Sequence, residues 1–145
     1  MLAFCVTLMS SAFSCEKSII NTETVSVEDV FNEKYPGATM VEWERHANYY
    51  EVEFFYNGHE MEAHFDKDGK WLWTKTEVRI TEVPATVIEA AKNYDNGKWE
   101  IDDIDYYERS SGEREYYKVE LEQRRSDIEK TIYIRPDGSI FDLRP

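Results

Sequence analysis

Tyr49-Tyr50-Glu51-Val52-Glu53-Phe54 and Tyr116-Tyr117-Lys118-Val119-Glu120-Leu121 are two versions of one strand, and their recurrence decides how the chain is read. Polar and apolar residues alternate in both, the period-two pattern of a strand with one buried face. A second pair follows: Phe65-Asp66-Lys67-Asp68-Gly69 recurs as Ile134-Arg135-Pro136-Asp137-Gly138. Upstream of each strand lies a short helical stretch ending near a tyrosine, Val27 to Tyr35 and Pro84 to Tyr94. Such self-similarity has to be recognised before any fold is assigned.

The first helix is expected to start at Ser26 as N-cap, with Asp29 three residues on. Val27, Val30, Phe31 and Tyr35 share one face, and Pro36-Gly37 stops it. The second is expected to take Pro84 at its first helical position, with Val87, Ala91 and Tyr94 as its apolar stripe. Asn57-Gly58 between alternating runs is a hairpin signal; Asp68-Gly69, Ser111-Gly112 and Asp137-Gly138 mark further turns. The fold class is therefore α+β: two tandem α-β-β-β-β repeats, 26–80 and 81–145, with helices on one face of antiparallel sheets and the other face open. The two sheets are expected to run side by side.

Composition agrees with a folded chain. Its 145 residues carry a net charge of −13, with 41% hydrophobic residues and 10 Tyr, 7 Phe and 4 Trp. A disordered acidic tail lacks aromatics in such numbers. The excess of acid argues against binding nucleic acid or an anionic membrane, which needs clustered Lys and Arg. Residues 16–80 hold 14 acids against 7 bases and residues 81–145 hold 16 against 10, so the charge is spread over both halves.

Met1 to Ser14 is uncharged. Leu2 to Met9 is an apolar run too short to span a bilayer, followed by small residues, as in a secretory signal; an apolar N-terminal strand is the other reading. Ala12-Phe13-Ser14-Cys15 resembles a lipobox, with Cys15 as the lipidated residue, although Ala12 and the lack of upstream Lys or Arg depart from that pattern. Residues 1–14 are thus read as a signal and 15–25 as a tether. The protein is expected in the periplasm or cell envelope, touching membrane only through a lipid anchor. No cysteine would then remain for a disulfide or a redox pair.

The motifs also resemble the PepSY-like family of bacterial exported proteins. The resemblance is carried by Tyr35-Pro36-Gly37, Val83-Pro84-Ala85, Tyr50-Glu51-Val52-Glu53-Phe54 and Phe65-Asp66-Lys67-Asp68-Gly69-Lys70, and covers residues 26–145. Tandem copies of that unit are similar to the beta-lactamase inhibitor protein fold, which presents a concave sheet to its partner. The resemblance implies an exported binder or inhibitor with no chemistry of its own; inhibition of a beta-lactamase is not inherited with a fold.

If Asn57-Gly58 is a two-residue loop, Tyr50, Val52, Phe54 and Tyr56 face the helix together with His59, Met61, Ala63 and Phe65. Glu51, Glu53, Phe55, Glu60, Glu62 and His64 occupy the open face. A four-residue loop at Asp66–Gly69 would add Trp71 and Trp73 to the open face and Leu72 to the core. A five-residue loop would bury both tryptophans. By the first parity Ile134, Phe141 and Leu143 point inward while Tyr133 and Ile140 point out. The candidate partner-binding set is accordingly Phe55, Trp71, Trp73, Glu51, Glu53, Glu60, Glu62, His64 and Tyr133.

Glu53 opposite Glu62, with Glu51, Glu60 and His64 nearby, is either a solvated acidic face or an invitation to a cation or basic partner. Asp66-Lys67-Asp68-Gly69 opens like a calcium loop but lacks the later ligands, so a turn is expected. His59 and His64 face opposite ways and cannot share a metal; His46 stands alone. No nucleophile setting, phosphate-cradling loop or catalytic residue is recognisable, and no cofactor or metal is assigned. The function expected is a non-enzymatic binding or inhibitory module for a protein, a protease or other envelope enzyme among the candidates. The alternative is a periplasmic sensor or carrier of a cation or small ligand, using the acidic hairpin face.

Overall fold

The computed structural model describes residues 26–110 and 114–143. The expected export segment, Cys15, the expected tether and the Ser111-Gly112 turn expected from the sequence lie outside the described residues.

The chain runs α1 (Val27–Lys34), β1 (Thr39–Arg45), β2 (Tyr49–Tyr56), β3 (His59–Asp66) and β4 (Trp71–Glu77). It continues as α2 (Ala85–Asn93), β5 (Trp99–Arg109), β6 (Tyr116–Gln123), β7 (Glu129–Ile134) and a short β8 (Ile140–Phe141). The strands form one antiparallel sheet in sequence order, not two. β4 pairs with β5 in the middle, Trp73 opposite Arg109 through Glu77 opposite Asp105, so the sheet passes through the centre of the chain without a break.

Each start and stop has a local cause. Ser26 caps α1: its Oγ accepts from the Asp29 N–H at 3.1 Å and the Asp29 carboxylate accepts from the Ser26 N–H at 3.3 Å. Pro84 falls at the N-cap of α2, one residue earlier than expected. Asn57 and Gly58 have φ of +52° and +87°, the left-handed pair a two-residue hairpin demands, and Tyr56 lies opposite His59.

Two clusters of buried side chains lie on one side of the sheet. Val27, Phe31 and Tyr35 meet Val52, Phe54, Ala63 and Phe65 in the first. Val87 and Ala91 meet Ile104, Val119, Leu121, Ile132 and Ile134 in the second. Phe31 lies edge-on to Phe54 at 4.9 Å and to Trp43 at 5.4 Å, so the exposed strand β1 touches the core's margin through its tryptophan.

The turn after β3 corrects the expected parity. The Asp66 N–H donates to the Lys70 carbonyl at 2.8 Å, so the loop is Lys67–Gly69, neither four nor five residues. Trp71 then lies opposite Phe65, on the helix side, and an extra residue, Leu72, bulges out before Trp73 pairs with His64. Trp71 therefore leaves the candidate binding set, and Leu72 does not enter the core. The Trp71 N–H donates to Thr74 Oγ1 at 2.8 Å, the Tyr35 hydroxyl shares that oxygen, and Lys34 Nζ sits 3.8 Å above the Trp71 ring. Burial drives the Tyr35 phenol pKa well above its ordinary value.

The turn after β7 repeats the device. The Arg135 N–H donates to the Ser139 carbonyl at 2.9 Å, which puts Ile140 opposite Ile134 and Phe141 opposite Tyr133. Phe141 thus faces outward with Tyr133, and Ile140 shares the side of Ile134, the reverse of expectation. Leu143 is 43% exposed and packs into neither core.

Candidate functional site

The side of the sheet away from the helices carries two bands of different chemistry. The first is a row of rings. His46 stacks on Tyr49 (4.2 Å, 16°), Tyr49 on His64 (4.8 Å, 14°) and His64 on Trp73 (3.9 Å, 23°). Trp73 meets Tyr107 at 5.6 Å, Tyr107 stacks on Tyr116 at 4.8 Å, and Tyr116 is edge-on to Tyr133 and Phe141 at 5.9 and 5.7 Å. From β2 to β8 every strand contributes one ring. The row packs against itself: Tyr116 is buried, and burial raises the Tyr107 phenol pKa far above normal. Arg135 lies 4.2 Å over Phe141 and closes its far end.

The second band is a concavity of about 470 Å³ toward the Asn57-Gly58 end of the strands. Glu42, Glu53, Glu60, Glu62, Glu77, Asp103, Asp105 and Glu120 line it, against two cations, Lys75 and Lys118, with Met40 and Phe55 among the apolar lining. The expected cross-strand pair Glu53 opposite Glu62 is present. Lys75 Nζ lies 2.6 Å from Glu62 Oε2, and Lys118 Nζ lies 3.6 Å from Asp105 and 2.5 Å from Glu120. Burial would raise the Glu62 carboxyl, but Lys75 and His64 together hold it below its ordinary pKa. At Asp105 the balance goes the other way: burial outweighs Lys118 and Lys75, and its pKa is raised. The floor of the concavity thus holds a carboxylate whose charge is poorly compensated.

The candidate residues divide between the bands. Glu53, Phe55, Glu60 and Glu62 line the concavity; Trp73 and Tyr133 belong to the row; Glu51 and His64 join the two, with His64 Nε2 at 3.1 Å from Glu51 and 2.9 Å from Glu62. Trp71 is on the other side of the sheet. His46 is not alone as expected: its Nε2 lies 3.6 Å from Glu51 across the β1–β2 hairpin. Tyr49, Tyr107 and Tyr116 were not singled out by sequence. For Tyr49 and Tyr116 the signal was the Tyr-Tyr that opens each repeated strand, whose first residue, by alternation, must face away from the helix when the second faces it; Tyr107, inside β5, carries no such mark and reaches the row only by pairing with Tyr116. The Asp66 carboxylate is used within its own turn, accepting from the Asp68 and Lys70 N–H groups at 2.9 Å each. No helix among the described residues is long and apolar enough to cross a membrane.

Comparison with known proteins agrees with this architecture. A BLIP-like protein from Bacteroides fragilis superposes with a TM-score of 0.70 at 27% identity, over 80% of this chain and 81% of that one. A DUF2874 family protein from Bacteroides ovatus gives a TM-score of 0.72 at 25% identity, over 80% and 82%. A Bacteroides eggerthii structure described as "putative periplasmic proteins" gives 0.71 at 21%, over 81% and 84%, a likeness of fold alone. No curated protein matches the chain. Residues 17–55 and 48–142 match the family described as "Putative beta-lactamase-inhibitor-like, PepSY-like", and with nearly the whole described chain inside that match, the protein belongs to the PepSY-like family.

Proposed function

We propose that the protein is an exported, non-enzymatic module that uses the acidic concavity of its open sheet face to bind a basic surface on a protein partner, an envelope enzyme being the class of partner favoured. The observation that carries this reading is the imbalance of the concavity, eight carboxylates against two lysines beside exposed Phe55 and Met40. Antiparallel sheets ordinarily leave a mixed polar surface to water. A predominantly acidic hollow with an apolar margin complements a cationic protrusion and speeds its capture. The inhibitor-like family and the BLIP-like neighbour support an inhibitory role, in which occupation of the partner's site is the whole of the activity.

Export is supported by the uncharged, largely apolar segment Met1–Ser14. Lipidation at Cys15 and the division into like units at 26–80 and 81–145 belong to the same reading; the repeated strand and turn motifs and the repeated element order support the division.

The test is capture from a native envelope fraction with the parent and with a Glu53→Lys, Glu60→Lys variant of matching thermal stability. A partner held by the parent, released by salt and lost from the variant is the expected result. Equal recovery on both baits, or inhibition-free binding through the helix side, would refute it.

A further inference from the structure

His64 occupies the junction of the two bands, and its surroundings go beyond what a protein-binding face needs. β3 pairs it with Glu51 of β2, and the period of two places Glu62 beside it on the same face. One imidazole nitrogen therefore meets two carboxylates: Nε2 is 3.1 Å from Glu51 Oε2 and 2.9 Å from Glu62 Oε1. That nitrogen carries at most one proton and can donate it to only one of them. The three donor atoms all lie within 4.8 Å of one another. With metal–ligand bonds of about 2.0–2.2 Å, ligand atoms sit about 3.0 Å apart in an octahedron and about 3.4 Å apart in a tetrahedron. The separations of Nε2 from the two carboxylate oxygens, 3.1 and 2.9 Å, fall at the octahedral edge.

The ligands are also held in place. The imidazole is clamped between Tyr49 at 4.8 Å and Trp73 at 3.9 Å, both nearly parallel to it. Glu62 keeps Oε1 toward His64 because Lys75 holds Oε2 at 2.6 Å. The side chains of His64, Glu62 and Glu51 are only 13%, 19% and 22% exposed, unlike the free rotamers of a solvated acidic surface. On the flank, His46 Nε2 is buried with no hydrogen-bond partner and lies 3.6 Å from the same Glu51 oxygen and 3.7 Å from Glu44. An orphaned imidazole nitrogen aimed at a shared carboxylate extends the donor set.

We infer that His64, Glu51 and Glu62 form a binding site for a divalent transition-metal ion, with His46 and Glu44 at its margin. Imidazole with carboxylates suits Zn²⁺, Ni²⁺ and Cu²⁺, whereas Ca²⁺ and Mg²⁺ take all-oxygen shells. Three protein ligands leave at least one position for water or for a donor from a partner. The site stands on these contacts alone and does not require that the concavity bind a protein.

The test is titration of the untagged full chain, its cysteines alkylated, with ZnCl₂ by calorimetry, and with CuCl₂ while following tryptophan emission. Expected are one Zn²⁺ per chain, quenching by Cu²⁺ of Trp73 emission, and no competition from a large excess of Ca²⁺ or Mg²⁺. His64→Ala and Glu51→Gln should each weaken binding by more than about tenfold, since even supporting residues of metal sites commonly cost that much. His46→Ala should cost only a few-fold, and His59→Ala, whose ring lies beside Glu82, should change nothing. Circular dichroism of each variant separates loss of ligand from loss of fold. No Zn²⁺ binding by the parent, unchanged binding in a folded His64→Ala protein, or equal competition by Ca²⁺ would overturn the assignment.

Discussion

Gly69 and Gly138 are equivalent in the repeated sequence and share a backbone conformation, with φ of +81° and +85°, yet they should not respond alike to alanine. Placing an L side chain in the left-handed region costs about 1–2 kcal/mol at either position. Alanine also narrows the unfolded ensemble by about the same amount in both, so that term cancels in the comparison. What differs is the space. A Cβ at Gly69 would meet the Val27 backbone at 3.6 Å, an ordinary contact. At Gly138 it would stand 2.9 Å from the Thr86 carbonyl oxygen, which belongs to the first turn of α2. That oxygen cannot swing away as a side chain could. The turn is moreover tied to the helix, because the Thr86 hydroxyl donates to the Pro136 carbonyl at 2.6 Å. Relief requires α2 to lift from the turn, an overpacking cost of about 1–3 kcal/mol. Gly138→Ala should therefore be less stable than Gly69→Ala by about 1–3 kcal/mol, which in a domain of this size is roughly 3–10 °C in Tm. Parallel thermal and urea unfolding of the two variants reads the difference directly. Equal midpoints, or a lower one for Gly69→Ala, would show that the turn does not bear on the helix and would refute the argument.

The two tryptophans of β4 should separate in the same assays: Trp71→Ala loses core packing, the Thr74 hydrogen bond and the Lys34 contact and should cost about 2–4 kcal/mol, while Trp73→Ala should cost about 1–2 kcal/mol and disturb the open face. Comparable losses would show that the bulge at Leu72 does not divide them. Lys75→Met should cost about 1–2 kcal/mol near neutral pH, allowing for the partial exposure of the pair. Because the Glu62 pKa is lowered in the fold, its contribution is present above the unfolded value and fades as pH falls through the folded one. Urea midpoints of parent and variant should therefore converge from about pH 6 to about pH 3, and a constant gap would refute the pairing. Asp105→Asn should raise stability near neutral pH, because a raised carboxyl pKa means stability that is complete below the unfolded value and lost as pH rises through the folded one. A lower urea midpoint near pH 7 would show that Lys118 and Lys75 outweigh burial after all.

Hairpin parity was legible wherever a turn has only one common solution. Asn57-Gly58 admits a two-residue loop, and every β2–β3 pairing from Tyr49 opposite Asp66 to Tyr56 opposite His59 follows from it. The Asp-Gly turns admit loops of three, four or five residues, and one residue of difference carries a whole strand to the other face. Trp71 was misplaced for that reason, and Ile140 and Phe141 with it. A bulge cannot be read from alternation at all, since it is a break in alternation; Leu72 lets Trp71 and Trp73, both expected on one side, face opposite sides. His46 was lost differently: its neighbours, Tyr49 and Glu51, come close only when β1 folds back on β2, and nothing in Glu44-Arg45-His46 announces that turn.

The two bands of the open face bear on stability in opposite ways. The ring row satisfies itself. Tyr116 is buried there although both helices among the described residues pack on the other side, so that end of the face is closed by its own side chains. The concavity does not satisfy itself, since its carboxylates outnumber its lysines and Asp105 sits at its floor with a raised pKa. Self-repulsion of this kind destabilises a compact state. On the proposed reading, the cationic surface that docks there would supply the missing charge. The net charge of −13, which by itself only excludes anionic partners, thus has a local focus in the part of the sheet the aromatic row leaves uncovered.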